Sequence, residues 1–253
     1  MKEWVLITGA TSGIGKAVLE AFAGSDYHLL AIGRDVKKLA ELRAAQNSVF
    51  TLEIDLSKPL SEKWIVEHIQ KLGGKVKYLI HAAATAEPLK SAENVTREGL
   101  EKAMNVNVHS AFLLTTALKK TRLYHAEEAR VLFFGSDYVT KKMLPHLTSV
   151  YAATKAAMDQ NVKYLKAEVD GHLLIGYVNP GSTATEGTYR AITKSAQDAG
   201  FFGQPPVKPA TSDEVAAYVY RLLTQYPSDD FARGQHDFRN RTTNGRASLP
   251  AAL

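Results

Sequence analysis

The chain has 253 residues, 45% of them hydrophobic and 23% charged, which suits a globular fold with a substantial core and excludes a disordered or fibrous chain. It has no cysteine, so disulfide and thiol chemistry are excluded, and a reducing, cytoplasmic setting is expected. The net charge of +5 comes from scattered Lys and Arg, which argues against a nucleic-acid face; no run approaches the roughly 20 apolar residues of a membrane span, and the stretch 4–7 is too short for a signal peptide.

Residues 4–8 (WVLIT) read as a short apolar strand. The segment 15–24 follows with Val18, Leu19 and Phe22 at helical spacing. A second strand is expected over 27–33 and an amphipathic helix over 35–45, with Val36, Leu39 and Leu42 on one face. A third strand over 48–56 leads to a helix over 59–72, starting near Pro59, and a fourth strand over 76–84. One long helix is expected at 99–123, a fifth strand at 129–136 and another long helix at 150–169. A sixth strand at 172–181 ends in a turn. A helix at 212–225 and a short strand at 231–238 complete the pattern. The strands are continuous apolar runs, so both their faces are covered. Strand–helix alternation of this kind predicts one doubly wound parallel sheet of about seven strands, a Rossmann fold, in a single domain over 1–253. The tail 240–253 is polar and small and is expected to be loosely ordered.

Three glycines stand where the first strand hands over to the first helix: Gly9, Gly13 and Gly15 in TGATSGIG. A helix N-terminus presents unpaired N–H groups and a positive dipole end, and glycine lets backbone approach a pyrophosphate closely. The spacing Gly-x3-Gly-x-Gly is not that of a P-loop, because Ala17 follows Lys16 where Ser or Thr is needed. Further on, Tyr151 and Lys155 stand four apart on a predicted helix and so share a face. A nearby ammonium stabilises a phenolate and lowers a tyrosine pKa from its ordinary value near 10, making the hydroxyl a serviceable acid at neutral pH. Eight dispersed histidines show no metal-ligand spacing, so no metal is expected.

TGATSGIG resembles the glycine motif of the short-chain dehydrogenase/reductase family. NVNVHSAF, VLFFGS, YAATK and NPGSTAT resemble that family's later motifs, in order, over about residues 4–238. The resemblance implies a catalytic set of Asn107, Ser136, Tyr151 and Lys155, with Asn107 holding a water that relays protons to Lys155. Hydride would come from a nicotinamide and the proton from Tyr151, while Ser136 hydrogen-bonds the same carbonyl oxygen. For the cofactor it implies Gly9, Thr11, Ser12, Gly13, Ile14 and Gly15 in the first turn, and Asp55 with Leu56 at the adenine. Ala82 and Ala83 would line the cofactor by backbone. Tyr151, Lys155, Pro180, Gly181, Thr183 and Thr185 complete that set. His81-Ala82-Ala83-Ala84 departs from the family's usual Asn-Asn-Ala-Gly, and the usual Val-Asp-Gly-Gly strand near the end is reduced to GQHDFRNR.

At the end of the second strand, NAD-preferring enzymes hold the ribose 2′-hydroxyl with an acidic side chain. Here Gly33 stands there, followed by Arg34, which can pair with a 2′-phosphate, and Asp35, an expected helix N-cap. NADP(H) is therefore expected. The segment 182–210 is expected to cover a small carbonyl or alcohol substrate, with Tyr138, Tyr189, Phe201 and Phe202 lining the pocket. The short ending and Arg34 resemble the sepiapterin-reductase-like and benzil-reductase-like carbonyl reductases of the family. A non-catalytic NADP(H)-binding sensor would not need the intact Ser136, Tyr151 and Lys155. A nucleotide-sugar epimerase or dehydratase would need a larger C-terminal region. Apolar residues in excess of one sheet face (Leu113, Leu114, Leu118, Val150, Met158, Leu165) point to a homodimer or homotetramer through the two long helices.

Overall fold

In β1 (Glu3–Thr8) side chains alternate between two apolar layers: Val5 and Ile7 join one core, Trp4 and Leu6 the other. That is why the strand is apolar at successive positions. The structure, a computed structural model, describes residues 2–139, 147–189, 193 and 209–238. Among these, six more strands follow: β2 (His28–Gly33), β3 (Val49–Glu53), β4 (Lys75–His81), β5 (Ala129–Phe134), β6 (Leu173–Asn179) and β7 (Gln235–Asp237). All neighbours pair in parallel, in the order β3-β2-β1-β4-β5-β6-β7. This is the doubly wound Rossmann order expected from the strand–helix alternation. Its direction reverses between β1 and β4, and the crevice beyond their carboxyl ends is where such sheets bind ligands.

The helices are α1 (Gly13–Ala21), α2 (Val36–Ala45), α3 (Glu62–Lys71), α4 (Arg97–Met104), α5 (Ser110–Thr121), α6 (Ser149–Glu168), α7 (Ser212–Thr224) and α8 (Ser228–Arg233). One face of the sheet is covered by α1 and α7, through Val18, Leu19, Val215, Val219 and Leu222, with Phe22 just beyond α1. The other is covered by α3, α5 and α6, through Ile65, Ile69, Leu114, Leu118, Met158 and Leu165.

Several expectations need correction. Val36 is 57% exposed, so α2 is anchored by Leu39 and, in part, Leu42. The third helix starts not at Pro59 but after Ser61, whose side chain accepts the Trp64 N–H. The long helix of 99–123 begins at Arg97 and is interrupted by a π turn, Asn105–His109. Residues 231–238 are not one strand: Pro227 and the acidic pair Asp229 and Asp230 favour a helix start, so Phe231 lies in α8 and only three residues form β7. Leu114, Leu118, Val150, Met158 and Leu165 are buried within this chain, and Leu113 packs partly against them. They do not constitute the surplus that the sequence suggested for an interface. The tail 240–253 lies outside the described residues.

Phe231 is fully buried beneath β6, with the Arg130 guanidinium 4.9 Å from its ring centroid. A Cβ on Gly176 would overlap that ring. Gly176→Ala is expected to destabilise the protein by about 1–3 kcal/mol. Gly171→Ala, where a Cβ meets nothing within 4 Å, is expected to be near neutral. Chemical denaturation of both variants measures the contrast.

Candidate active site

The turn after β1 is built by backbone contact. Gly9 has φ +68°, and a Cβ there would lie 2.7 Å from the Ala83 Cα. Gly15 faces the Gly9 carbonyl just as tightly, with the Ala82 methyl beside it. The Thr8 hydroxyl accepts the Ala83 N–H at 3.2 Å, tying the ends of β1 and β4 together. Ser12 precedes α1 without a side-chain cap, and the first turn of α1 carries no acidic residue. The leading N–H groups of α1 are thus left to a ligand. Gly13 (φ +53°) lies under the Thr185 methyl, 3.3 Å from where its Cβ would be. The glycine turn and the segment after β6 therefore meet. Thr11 sits against Gly33, whose Cβ would be 2.8 Å from the Thr11 methyl. Ile14 is half-buried against the α1 side of the core.

Beyond β6, Pro180 is buried and Gly181 has φ +65°. The Thr183 hydroxyl turns inward to the Pro180 carbonyl at 3.4 Å. Thr185 accepts the Thr188 N–H at 3.1 Å, starting a helical turn at 186–189. The two ends of the 182–210 segment are pinned together: Ala184 N–H donates to Ala210 at 2.7 Å and Ala210 N–H to Ser182 at 3.0 Å.

His81 ends β4 facing α5. Thr115 donates to the Ala111 carbonyl at 2.9 Å, so its oxygen accepts the His81 Nε2–H, also at 2.9 Å. The ring lies 4.7 Å from that of Phe133, and burial pulls its pKa down to about 3, so the imidazole is neutral. His81 thus acts as a neutral strut from sheet to helix.

Asn107 sits in the π turn, a geometry in which the helical ladder is shifted by one residue. Its side-chain oxygen accepts the Thr85 N–H at 2.7 Å. Its amide donates to the Thr85 carbonyl and to the Thr154 hydroxyl, each at 2.8 Å. The side chain is therefore committed to holding the loop after β4 against α6.

Thr154 passes the link on to the Tyr151 carbonyl at 2.8 Å. Lys155, on the same helix face as Tyr151, carries its ammonium 5.7 Å from the Tyr151 ring centroid and donates to the Phe134 carbonyl at 3.0 Å. Burial lowers its pKa to about 8. Phe134 is the last residue of β5, and Ser136 follows two positions on. Lys155 thus joins α6 to the strand end that carries Ser136. Asn179 closes the corner, donating to Asp137 at 2.5 Å and accepting the Gly181 N–H at 3.1 Å.

At the far end of the crevice, Arg34 is exposed after β2 and Asp35 caps α2, accepting the Lys38 N–H at 3.1 Å. The hydroxyl and N–H of Ser57 hold the Asp55 carboxyl below its usual range, and Lys58 and Arg34 act in the same direction. Leu56 is buried. Tyr189 is 58% exposed. Phe201, Phe202 and the Tyr138 side chain lie outside the described residues. Thr8, Thr85 and Thr154 were not singled out in the sequence. Thr154 immediately precedes Lys155, but its hydroxyl finds Asn107 only across two helices. No group of three or more His, Asp or Glu able to hold a metal occurs among the described residues.

The short chain dehydrogenase family model matches residues 3–195. An uncharacterized oxidoreductase of Methylorubrum extorquens is 28% identical over 228 residues, covering 87% of this chain and 89% of its own. Sulfoacetaldehyde reductase 2 of Chromohalobacter salexigens is 26% identical over 231 residues, covering 88% and 89%. L-Sorbose reductase of Gluconobacter frateurii, solved complexed with NADPH and L-sorbose, shares the fold at a TM-score of 0.78 and 20% identity, over 93% of this chain and 94% of that one. With that family model matching residues 3–195, this chain belongs to the short-chain dehydrogenase/reductase family of oxidoreductases.

Proposed function

We propose that the protein is an NADPH-dependent carbonyl reductase, running reversibly as an alcohol dehydrogenase, with Tyr151 as the proton donor. The observation that carries this reading is the convergence of Tyr151 and Lys155 on the strand end that bears Ser136. The uncapped N-terminus of α1 and the glycines packed tightly against the end of β4 fit a dinucleotide pyrophosphate. Gly9, Thr11, Ser12, Gly13, Ile14 and Gly15 would hold it from one side and Pro180, Gly181, Thr183 and Thr185 from the other. Asp55, Leu56, Ala82 and Ala83 would line the crevice between. When bound, the nicotinamide supplies a hydride to the carbonyl carbon. The Tyr151 hydroxyl gives its proton to the carbonyl oxygen, and the Ser136 hydroxyl donates a hydrogen bond to the same oxygen. The Lys155 ammonium stabilises the phenolate left behind. The relatives named as reductases of sulfoacetaldehyde and L-sorbose support a small carbonyl substrate.

Preference for NADPH follows from Arg34, which is exposed and can meet a 2′-phosphate in a charge-assisted pair. Gly33 leaves no acidic side chain to repel that phosphate. A non-catalytic sensor accounts less well for the intact set of Ser136, Tyr151 and Lys155, since cofactor binding alone does not need a tyrosine hydroxyl and a serine hydroxyl beside the buried ammonium. A cytoplasmic setting accords with the cysteine-free sequence. The expected homodimer or homotetramer would draw on Leu100, Phe112 and Tyr164, exposed on α4, α5 and α6.

Tyr151→Phe keeps the ring and removes the hydroxyl. Turnover on the best substrate from a carbonyl panel should fall ~10²–10⁴-fold, with NADPH binding by fluorescence titration little changed. Near-normal turnover in a folded variant would rule the mechanism out. Arg34→Ala should raise KM for NADPH roughly ten- to a hundredfold and leave NADH unaltered; equal losses with both cofactors would make Arg34 structural.

Lys155→Met should be inactive and, in the cofactor-free protein at pH 7, more stable than wild type. The native ammonium titrates at about 8 against 10.5 for the free side chain, so its burial opposes folding fully below pH 8. Between about 8 and 10.5 the unfolded chain binds the extra proton, and wild-type stability rises with pH. The gap between the two proteins should narrow over that window in urea titrations. A pH-independent gap would show that the ammonium is not desolvated.

A further inference from the structure

Thr154 is fully buried within α6, between Tyr151 and Lys155. A β-branched residue suits a helix interior poorly, and a hydroxyl taken out of water costs free energy unless it is hydrogen-bonded. Here the hydroxyl is used in both directions. It donates to the Tyr151 carbonyl at 2.8 Å and accepts from the Asn107 amide at 2.8 Å. A carbonyl has two lone pairs, so the Tyr151 oxygen can take this hydrogen bond beside that of the helical ladder.

The polarity of this link is fixed from both ends. The Asn107 side-chain oxygen meets the Thr85 N–H at 2.7 Å, which turns its NH2 group toward the Thr85 carbonyl and the Thr154 oxygen. The Thr154 proton goes to the Tyr151 carbonyl, so its oxygen is left to accept. Asn107 is itself buried, and removing the Thr154 hydroxyl would leave one of its N–H groups without an acceptor. The two ends of the link belong to the site. Thr85 follows Ala82 and Ala83, which pack on the glycine turn, and the Ala83 N–H donates to the Thr8 hydroxyl at 3.2 Å. The loop after β4 is thus held to β1 at Ala83 and to α6 at Thr85. Lys155 separately ties α6 to the end of β5 through the Phe134 carbonyl at 3.0 Å. Adjacent residues of α6 therefore locate the helix that carries Tyr151 against two different parts of the crevice.

We propose that Thr154 is a positioning residue: acting through Asn107, its hydroxyl sets where the Tyr151 turn of α6 stands relative to the loop after β4, and so relative to a cofactor lined by that loop. The proposal rests on the reading of Tyr151 as the proton donor. It makes Thr154 the joint between the group that gives the proton and the backbone that lines the hydride donor.

Thr154→Val keeps the shape of the side chain and replaces the hydroxyl by a methyl group. The Thr85 amide should then exchange its hydrogen faster, because Asn107 is no longer held to α6. Turnover of the carbonyl substrate should fall roughly ten- to a hundredfold, with NADPH affinity by fluorescence titration little changed. The ratio of turnover in H2O to that in D2O should rise, because a displaced phenol slows the proton transfer. Thr154→Ser keeps the hydroxyl and should match wild type in exchange, turnover and isotope ratio. Undiminished protection of the Thr85 amide in Thr154→Val overturns the link. Faster exchange with unchanged turnover overturns the positioning role. So does a loss of turnover at an unchanged isotope ratio, which reports fewer folded molecules, or a Thr154→Ser protein as slow as Thr154→Val. If Thr154→Val fails to fold, Thr154→Ala takes its place against the same serine control. A Tyr151→Phe protein with near-normal turnover would instead refute the functional reading, while exchange at Thr85 still decides the link.

Discussion

Three stretches of backbone meet with no side chain between them at the point where the sheet reverses direction. Gly9 lies so close to Ala83 that a Cβ on it would be 2.7 Å from the Ala83 Cα, and a Cβ on Gly15 would run into the Gly9 carbonyl. That approach sets the direction in which α1 leaves the sheet, so it places the helix N-terminus over the crevice and the opposite face of α1 against Val215 and Val219 of α7. It also explains the run of alanines after β4, since a larger residue at Ala82 or Ala83 would push the first turn away from the strand. The hydrogen bond from Ala83 to Thr8 completes the junction with a side chain short enough to fit it.

The departure at His81 shows how such a junction tolerates change. An imidazole at the end of β4 can reach α5, and Thr115 supplies its acceptor while Phe133 supplies a ring to lie against. Because burial keeps it neutral, it adds no charge to the site. The load of orienting the loop after β4 falls on Asn107, whose side chain reaches both Thr85 and Thr154 from the displaced turn of helix. A regular helix over 99–123 would place Asn107 about a third of a turn elsewhere. The π turn is therefore part of the site's geometry, consistent with the frequent occurrence of such turns at functional positions.

Polar groups in the catalytic corner are held by partners on different elements. Lys155 reaches the β5 carbonyl of Phe134, Asn179 grips Asp137, and the Tyr177 hydroxyl fills the space beside Gly135. The Lys155 contact meets the backbone demand of a strand that is leaving the sheet, and the others restrain the residues that follow it. Burying an ammonium here disfavours its charged form, and the fold offsets that with the large apolar layers on both sides of the sheet.

Local regularities made much of this legible in the sequence. Strand-by-strand apolar runs announced a sheet covered on both faces, the glycine spacing marked the first turn, and Tyr151 and Lys155 share a face because helical spacing alone requires it. Asp35 as a cap was likewise readable, since its partner Lys38 lies three residues away. Segment 231–238 was misread because its aromatic residues suit a strand, whereas Phe231 is placed by the cavity beside Gly176. The surplus of apolar residues in the long helices looked like an interface, because the sequence does not reveal how much sheet surface each helix must cover. Which residues alternate, cap or share a helix face depends on neighbours a few positions away, and the sequence determined those. The π turn at Asn107, the Thr85–Asn107–Thr154 link, the His81 strut and the meeting of Tyr177 with Gly135 depend on register between strands and on helices crossing them. Only the tertiary structure decided these, because hydrogen bonds between residues tens of positions apart leave no periodic trace along the chain.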